Sequence, residues 1–343
     1  MTNDQRVVNV AEGVTLWLLL FLIAFGLGYP TLNRYEPGAV NGTSDSADYS
    51  DLVTAGPAAV EGKMRFRVLV PYVAKPFYWL ARGRIKTWNP VFFGLLVANA
   101  LFTATTAYLL FLVGRHLVED RATALLATTL FLLNFNTANY WLSGMVDSSE
   151  GCCLMLLTWT LFSGRWWLLP VWGAFGALTK ESFIPLSIVY GATWWLVWGR
   201  ARADSFSRGV WVGAMSAASV VTMIVLQSLI VGHVLWPWQF AATVEPVPNY
   251  FRNLATLFLD RNFWYNFAWL LPLGVWRLKT LPRTWVLASA TTVVLGVLLS
   301  AYVPPGGLVG RVTFDIAGPI LSLSAAVLLC RPQTARHAEI TQV

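Results

Sequence analysis

Residues 14–32 read VTLWLLLFLIAFGLGYPTL, nineteen consecutive positions without a charge. As a helix rising 1.5 Å per residue, such a run spans about 28 Å, close to the ~30 Å hydrocarbon core of a bilayer. It is too long for the apolar core of a signal peptide and is followed by no small-residue cleavage motif, so it predicts a retained transmembrane helix. Similar apolar blocks recur through the rest of the 343 residues. Composition agrees: 56% of the chain is hydrophobic, 12% is charged and the mean hydropathy is +0.57. A soluble domain carries about 25% charged residues, so this chain has too little polar surface to cover a water-facing exterior. Soluble enzyme, disulfide scaffold and disordered chain are excluded, and the expected class is an all-α, polytopic helical membrane protein.

The blocks predict roughly ten transmembrane helices, at about 13–31, 90–114, 121–137, 150–164, 166–180, 183–198, 208–232, 263–276, 284–302 and 312–330. Residues 1–343 form one transmembrane domain on this reading. Two long polar stretches, 32–89 and 233–262, interrupt the pattern. With the N-terminus inside, the short basic loops around Arg115, Arg165, Arg200 and Arg277 all fall on the cytoplasmic side, as does the tail with Arg331 and Arg336. That alternation satisfies the positive-inside rule and puts both termini in the cytoplasm. The net charge of +7 is thereby topogenic and implies no nucleic-acid partner. Cys152, Cys153 and Cys330 all lie inside apolar blocks without metal-ligand spacing.

The loop 32–89 breaks the rule, because Lys63, Arg65, Arg67, Lys75, Arg82, Arg84 and Lys86 all fall in it, outside. Residues 68–81 are too short, and with Lys75, Pro71 and Pro76 too interrupted, to span; they predict an amphipathic helix at the outer interface. The same loop holds Asp45, Asp48 and Asp51 just beyond the first span. A carboxylate at a membrane surface can take a proton from an acceptor hydroxyl, or belong to a solvated acidic loop. Other charged groups at outer span ends are few. Lys180 and Glu181 either line a cavity or pair with each other. Asp147 and Glu150 either bind sugar hydroxyls or favour a helix N-terminus, the latter better suiting Glu150. Arg311 meets a phosphate or a carboxylate such as Asp315.

Several of these residues carry a resemblance. Asp45-Ser46-Ala47-Asp48-Tyr49 is similar to the D-[DE]-x-x-[YF] signature of the GT-C glycosyltransferases, departing from it at Ser46. Met64-Arg-Phe-Arg-Val-Leu-Val-Pro71 resembles their Y/F-R-x-x-x-P stretch, and Leu178-Thr-Lys-Glu-Ser182 their L-T-[KR]-E-[TS] turn. Gly310-Arg311, ahead of Asp315 and Pro319, resembles the start of their last helix. That superfamily includes protein O-mannosyltransferases and the aminoarabinose transferase. The resemblance implies a GT-C-like enzyme at the extracytoplasmic face of a bacterial inner membrane. It would move a sugar from a polyprenyl-phosphate donor to an acceptor with inversion. Asp45 would be the catalytic base, with Asp48 as its rival. Tyr49, Arg65, Arg67, Asp147, Lys180, Glu181 and Arg311 would bind substrate, Arg65 and Arg67 through the donor phosphate or, equally, through anionic lipid heads. No cofactor is expected, and the loss of an acid at Ser46 weakens the case for a divalent metal. Expected partners are the lipid-linked donor, membrane lipids and membrane proteins. The competing reading is a non-catalytic subunit of this fold in a larger membrane complex.

Overall fold

The computed structural model describes residues 3–32, 45–199, 205–236, 239, 250–301 and 308–330. Fourteen α-helices, joined by short 3₁₀ turns and one π turn, account for the ordered elements among them. The Asn3–Leu32 helix (α1) contains the 14–32 block, and Ser46–Thr54 (α2) and Leu69–Ala81 (α3) occupy the long loop that follows. Then come Pro90–Val118 (α4), Arg121–Leu132 (α5), Asp147–Phe162 (α6), Leu169–Ala177 (α7), Phe183–Gly199 (α8) and Ser205–Val231 (α9). Tyr250–Thr256 (α10), Arg261–Phe267 (α11), Leu270–Trp276 (α12), Arg283–Ser300 (α13) and Leu308–Cys330 (α14) complete the chain. Asn89 caps α4, its side-chain carbonyl accepting from the Val91 amide with Pro90 at the first position; Asp120 caps α5 in the same way.

Among the described residues, five helices are long and apolar enough to cross a membrane: Val10–Pro30, α4, α9, α13 and Val309–Cys330. The chain is a multi-pass helical membrane protein. Each of the ten expected blocks has a helical counterpart, but three are not continuous spans. The third, 121–137, holds the twelve-residue α5 and turns at Leu133-Asn134. The fifth contains α7, nine residues and so about 14 Å of helix, half of a bilayer core. The eighth divides at Ala268-Trp269 into α11 and α12, seven residues each. Windowed hydropathy registers apolar content and is blind to such breaks.

α4 and α14 lie inside the bundle, where 72% and 83% of their apolar windows are buried; α1 and α9, at 11% and 22%, line its outside. Those exposed faces carry Leu18, Leu22, Val221 and Leu229, as a lipid-facing helix should. The core gathers around Phe131, Trp141 and Phe314, whose rings lie 5.3–6.1 Å apart. The expected helix over 68–81 forms as α3 and packs along α4. Contact is close because Gly94 has no side chain: a β-carbon there would lie 2.8 Å from the Ala74 carbonyl oxygen and 3.1 Å from the Tyr78 nitrogen. Part of each long loop, 33–44 and most of 237–249, falls outside the described residues.

Candidate functional site

The candidate site forms where the 45–68 segment meets the N-terminus of α6, the α7–α8 turn and the start of α14. Gly144, at φ +83°, turns the chain out of the π turn Thr137–Trp141 into α6. A left-handed residue of this kind is accessible to glycine at little cost. Asp147 and Glu150 then occupy the first turn of α6, where the helix dipole favours negative charge. Both are fully buried, as are Lys180, Arg67, Arg311 and Asp315 to within a few per cent.

Two ion-pair groups result. In the first, Arg67 grips Glu181 with both arms, Nε donating to Oε2 at 2.9 Å and Nη2 to Oε1 at 2.5 Å. Its Nη1 donates to the Tyr49 hydroxyl at 2.9 Å and lies 3.8 Å from Asp45 Oδ2. Lys63 adds a longer contact with Glu181 at 3.9 Å. In the second group, Asp147 is shared between cations: Lys180 Nζ donates to Oδ1 at 2.9 Å and Arg311 Nη2 to Oδ2 at 2.5 Å. Lys180 also lies 3.5 Å from Glu150, whose other oxygen accepts from Ser182 Oγ at 2.6 Å. The π turn reaches the same place: Tyr140 lies under the Arg311 guanidinium at 5.3 Å, and Trp141 Nε1 donates to Asp315 Oδ1 at 2.9 Å. π turns are frequent at functional sites.

Electrostatics follow from this geometry outside the spans. Burial opposes ionisation of Glu181, yet the Arg67 guanidinium outweighs it and holds the carboxyl down at about 2. Burial pushes the Tyr49 hydroxyl up, and Arg67 offsets that only in part. The Asp48 carboxyl is raised by desolvation and by the neighbouring Asp45 and Asp51.

The structure sorts the sequence-derived residues. Asp45, Tyr49, Arg67 and Glu181 converge in one group, and Asp147, Lys180 and Arg311 in the other. Lys180 and Glu181 do not pair with each other; adjacent in sequence, they engage different partners. Arg311 takes Asp147, not Asp315. Asp48 has no ion pair among the described residues, so Asp45 is the acid that faces Arg67. Arg65 sits on the Gly62–Phe66 turn with its guanidinium over the Phe66 ring at 4.8 Å, outside both groups. Residues not anticipated are Lys63, Tyr140, Trp141 and Ser182. Of these, Ser182 carried a sequence signal as the last position of the L-T-K-E-S turn, and Lys63 only as one of the cations of the 32–89 loop.

Asp147, Glu150 and Asp315 bring carboxylate oxygens within 4.8 Å of one another, a spacing compatible with a metal ion. Lys180 and Arg311 already supply positive charge to Asp147 and Glu150 at 2.5–3.5 Å. A divalent ion added among them would meet two buried cations, so the donor set fits a metal poorly.

No protein-family model matches the chain, and no curated protein matches it in sequence. In fold it is similar to the crystal structure of ArnT from Cupriavidus metallidurans bound to undecaprenyl phosphate. The TM-score is 0.62 at 14% sequence identity, over 94% of this chain and 62% of that one. The chain thus spans under two thirds of the length of its structural neighbour. The identity is too low to carry an activity across, but the coverage is nearly complete on this side. The likeness shows the fold, and the chain has an ArnT-like, GT-C-like all-α membrane fold.

Proposed function

We propose that the protein is a membrane glycosyltransferase that moves a sugar from a polyprenyl-phosphate donor to an acceptor, with inversion, at the extracytoplasmic face. The observation that carries this reading is the position of Asp45. The acid of the D-x-x-x-Y match lies 3.8 Å from Arg67, and the aromatic of the same match, Tyr49, accepts a hydrogen bond from that guanidinium. The i, i+4 spacing at the start of α2 puts both residues of the motif on the helix face that meets this one buried cation. Undecaprenyl phosphate bound to ArnT supports the donor class.

In this mechanism the Asp45 carboxylate takes the proton of the acceptor hydroxyl. The acceptor oxygen attacks the anomeric carbon from the face opposite the donor phosphate, forming the new glycosidic bond as the carbon–phosphate-oxygen bond breaks. Arg67, Lys180 and Arg311 stabilise charge gathering on the departing phosphate. A single transmembrane domain holds every group, no metal is required, and both termini are cytoplasmic in a bacterial inner membrane. Arg67, Lys180 and Arg311 meet carboxylates in the protein itself, which favours a second reading: a non-catalytic subunit in which the site has become a structural ion network.

The experiment is sugar transfer by purified, reconstituted protein from radiolabelled polyprenyl-phosphate sugars to membrane acceptors. Asp45→Asn should lower the rate by about 10²–10⁴-fold, the range for loss of a general base, with folding intact. Wild type that transfers no more sugar than protein-free vesicles would reject the transferase and leave the subunit, and equal measurable rates in Asp45→Asn, Asp48→Asn and wild type would reject both acids as the base.

A further inference from the structure

The candidate site leaves unexplained the basic stretch that follows it. Residues 62–118 contain no acid, yet seven cations fall between Lys63 and Lys86. Among the described residues, ion pairs of this stretch involve Lys63 and Arg67 only. Lys75 lies over the Tyr72 ring at 4.8 Å and Arg82 over Tyr78 at 5.9 Å; Arg82, Arg84 and Lys86 are exposed.

The helix these cations flank is two-faced. Val70, Ala74, Tyr78 and Ala81 of α3 are buried, while Tyr72, Trp79 and Leu80 are 47%, 64% and 59% exposed. Positions 72, 76, 79 and 80 lie about one turn apart and so share the outer face. Just past the cations, Trp88 packs against Tyr29 at the end of α1 and against Phe93 in the first turn of α4 (5.2 and 5.6 Å between rings). Aromatic residues at the ends of two membrane-crossing helices mark the bilayer interface. The cation run is therefore fixed at headgroup depth by its own neighbours.

We propose that α3 and the 82–86 turn form a docking surface for anionic phospholipid. Tyr72, Trp79 and Leu80 would enter the headgroup–acyl boundary, and Lys75, Arg82, Arg84 and Lys86 would contact the phosphates. Charge complementarity selects this occupant. A neutral bilayer would accept the aromatic stripe but has no use for four cations without carboxylate partners, and an acidic protein would be poorly served by three apolar side chains at lipid depth. On the orientation proposed above, this is also the face where topology disfavours Lys and Arg, so their retention there has another cause. The surface is wired to the site: the Leu69 amide at the head of α3 donates to the Leu178 carbonyl at 3.1 Å, and Arg67 precedes it by two residues. Lipid held on α3 thereby steadies the segment that places Arg67. The inference does not depend on transferase activity.

The test uses full-length protein reconstituted in phosphatidylcholine doped with phosphatidylglycerol, released gently and assayed by native mass spectrometry for retained lipid. Wild type should retain phosphatidylglycerol over phosphatidylcholine by at least about tenfold, which two of the four cations, at about 1 kcal/mol each, are enough to supply. That preference should fall with ionic strength. The Lys75→Gln/Arg82→Gln/Arg84→Gln/Lys86→Gln variant should lose it, while Arg277→Gln/Lys279→Gln/Arg283→Gln, at the other end of the bundle, should keep it. Lys75 and Arg277 are half-buried and the other substituted positions exposed, so equal melting temperatures in pure phosphatidylcholine establish folding. A second variant, Trp79→Ser/Leu80→Ser, should weaken retention of both lipids without changing their ratio. An unchanged preference in the quadruple variant overturns the proposal. So does its loss in the Arg277 set alone, or complete displacement of lipid by inorganic phosphate, which would mean a soluble-anion site.

Discussion

Replacing Glu181 by Gln tests whether the Arg67 group is the site's organising contact. The side chain keeps its shape but loses its charge, and one of the two Arg67 hydrogen bonds at 2.5 and 2.9 Å loses its acceptor to an amide NH₂. Arg67, 4% exposed, is then left with the Tyr49 hydroxyl and the 3.8 Å contact to Asp45. Removing one member of a buried pair costs about 3–5 kcal/mol. A quarter of the Glu181 side chain reaches solvent, which moves the expectation toward about 3 kcal/mol. Proton linkage gives the same size independently. Lowering the carboxyl from its ordinary 4.5 to about 2 corresponds to about 3 kcal/mol in favour of the ionised, folded form. The sign fixes the pH window. A depressed carboxyl contributes fully above its unfolded value, so the wild-type advantage is complete above about pH 4.5 and disappears as pH falls through about 2. The assay is chemical unfolding of detergent-solubilised protein at pH 7, 4 and 2, with Glu181→Gln, Arg67→Met and the double variant forming a cycle. The single variants should each be destabilised at pH 7, with a coupling of about 2–3 kcal/mol between them. A Glu181→Gln protein as stable as wild type at pH 7, or a deficit unchanged down to pH 2, would refute this account of the pair.

Other outcomes follow from the same geometry. Arg311→Ala should unfold more easily than wild type by about 3–5 kcal/mol, since it strands buried Asp147 with Lys180 alone; Arg311→Lys should recover part of this and, lacking the planar fork, still bind a polyprenyl-phosphate donor less tightly in a titration. Gly94→Ala should separate α3 from α4 and cost about 1–3 kcal/mol, the range for overpacking, measured as a lowered melting temperature that Gly26→Ala, with open space at its β-carbon, does not show. Reporter fusions after Arg202 and after Arg283 should both read cytoplasmic; an external reading of either would invert the orientation and move the site to the other face.

The fold was largely legible because membrane solvation is written along the chain. Apolar blocks such as 14–32 and the charges between them predict helices by length alone, and each block has its helix. The discontinuities were not legible. α7 stops after nine residues, and the eighth block breaks at Ala268-Trp269, because neighbouring helices decide how deep a segment sits and composition does not. For the site, local motif spacing pointed to Asp45, Tyr49, Arg67, Lys180, Glu181 and Arg311, so the inventory of charges was in the sequence. Their pairing was not. Lys180 and Glu181 are adjacent, and a one-dimensional reading joins them, yet at the α7–α8 turn their side chains diverge, one to Asp147 and one to Arg67. Arg311 lies four residues before Asp315, a helical neighbour by spacing, but is drawn to Asp147 on α6, and Asp315 receives Trp141 from the π turn instead. Sequence determines which groups must be kept from the lipid, since burying a charge without a partner is costly wherever it falls. Which partner relieves that cost is set by contacts over 33 to 174 residues of separation, and those exist only once the helices have packed.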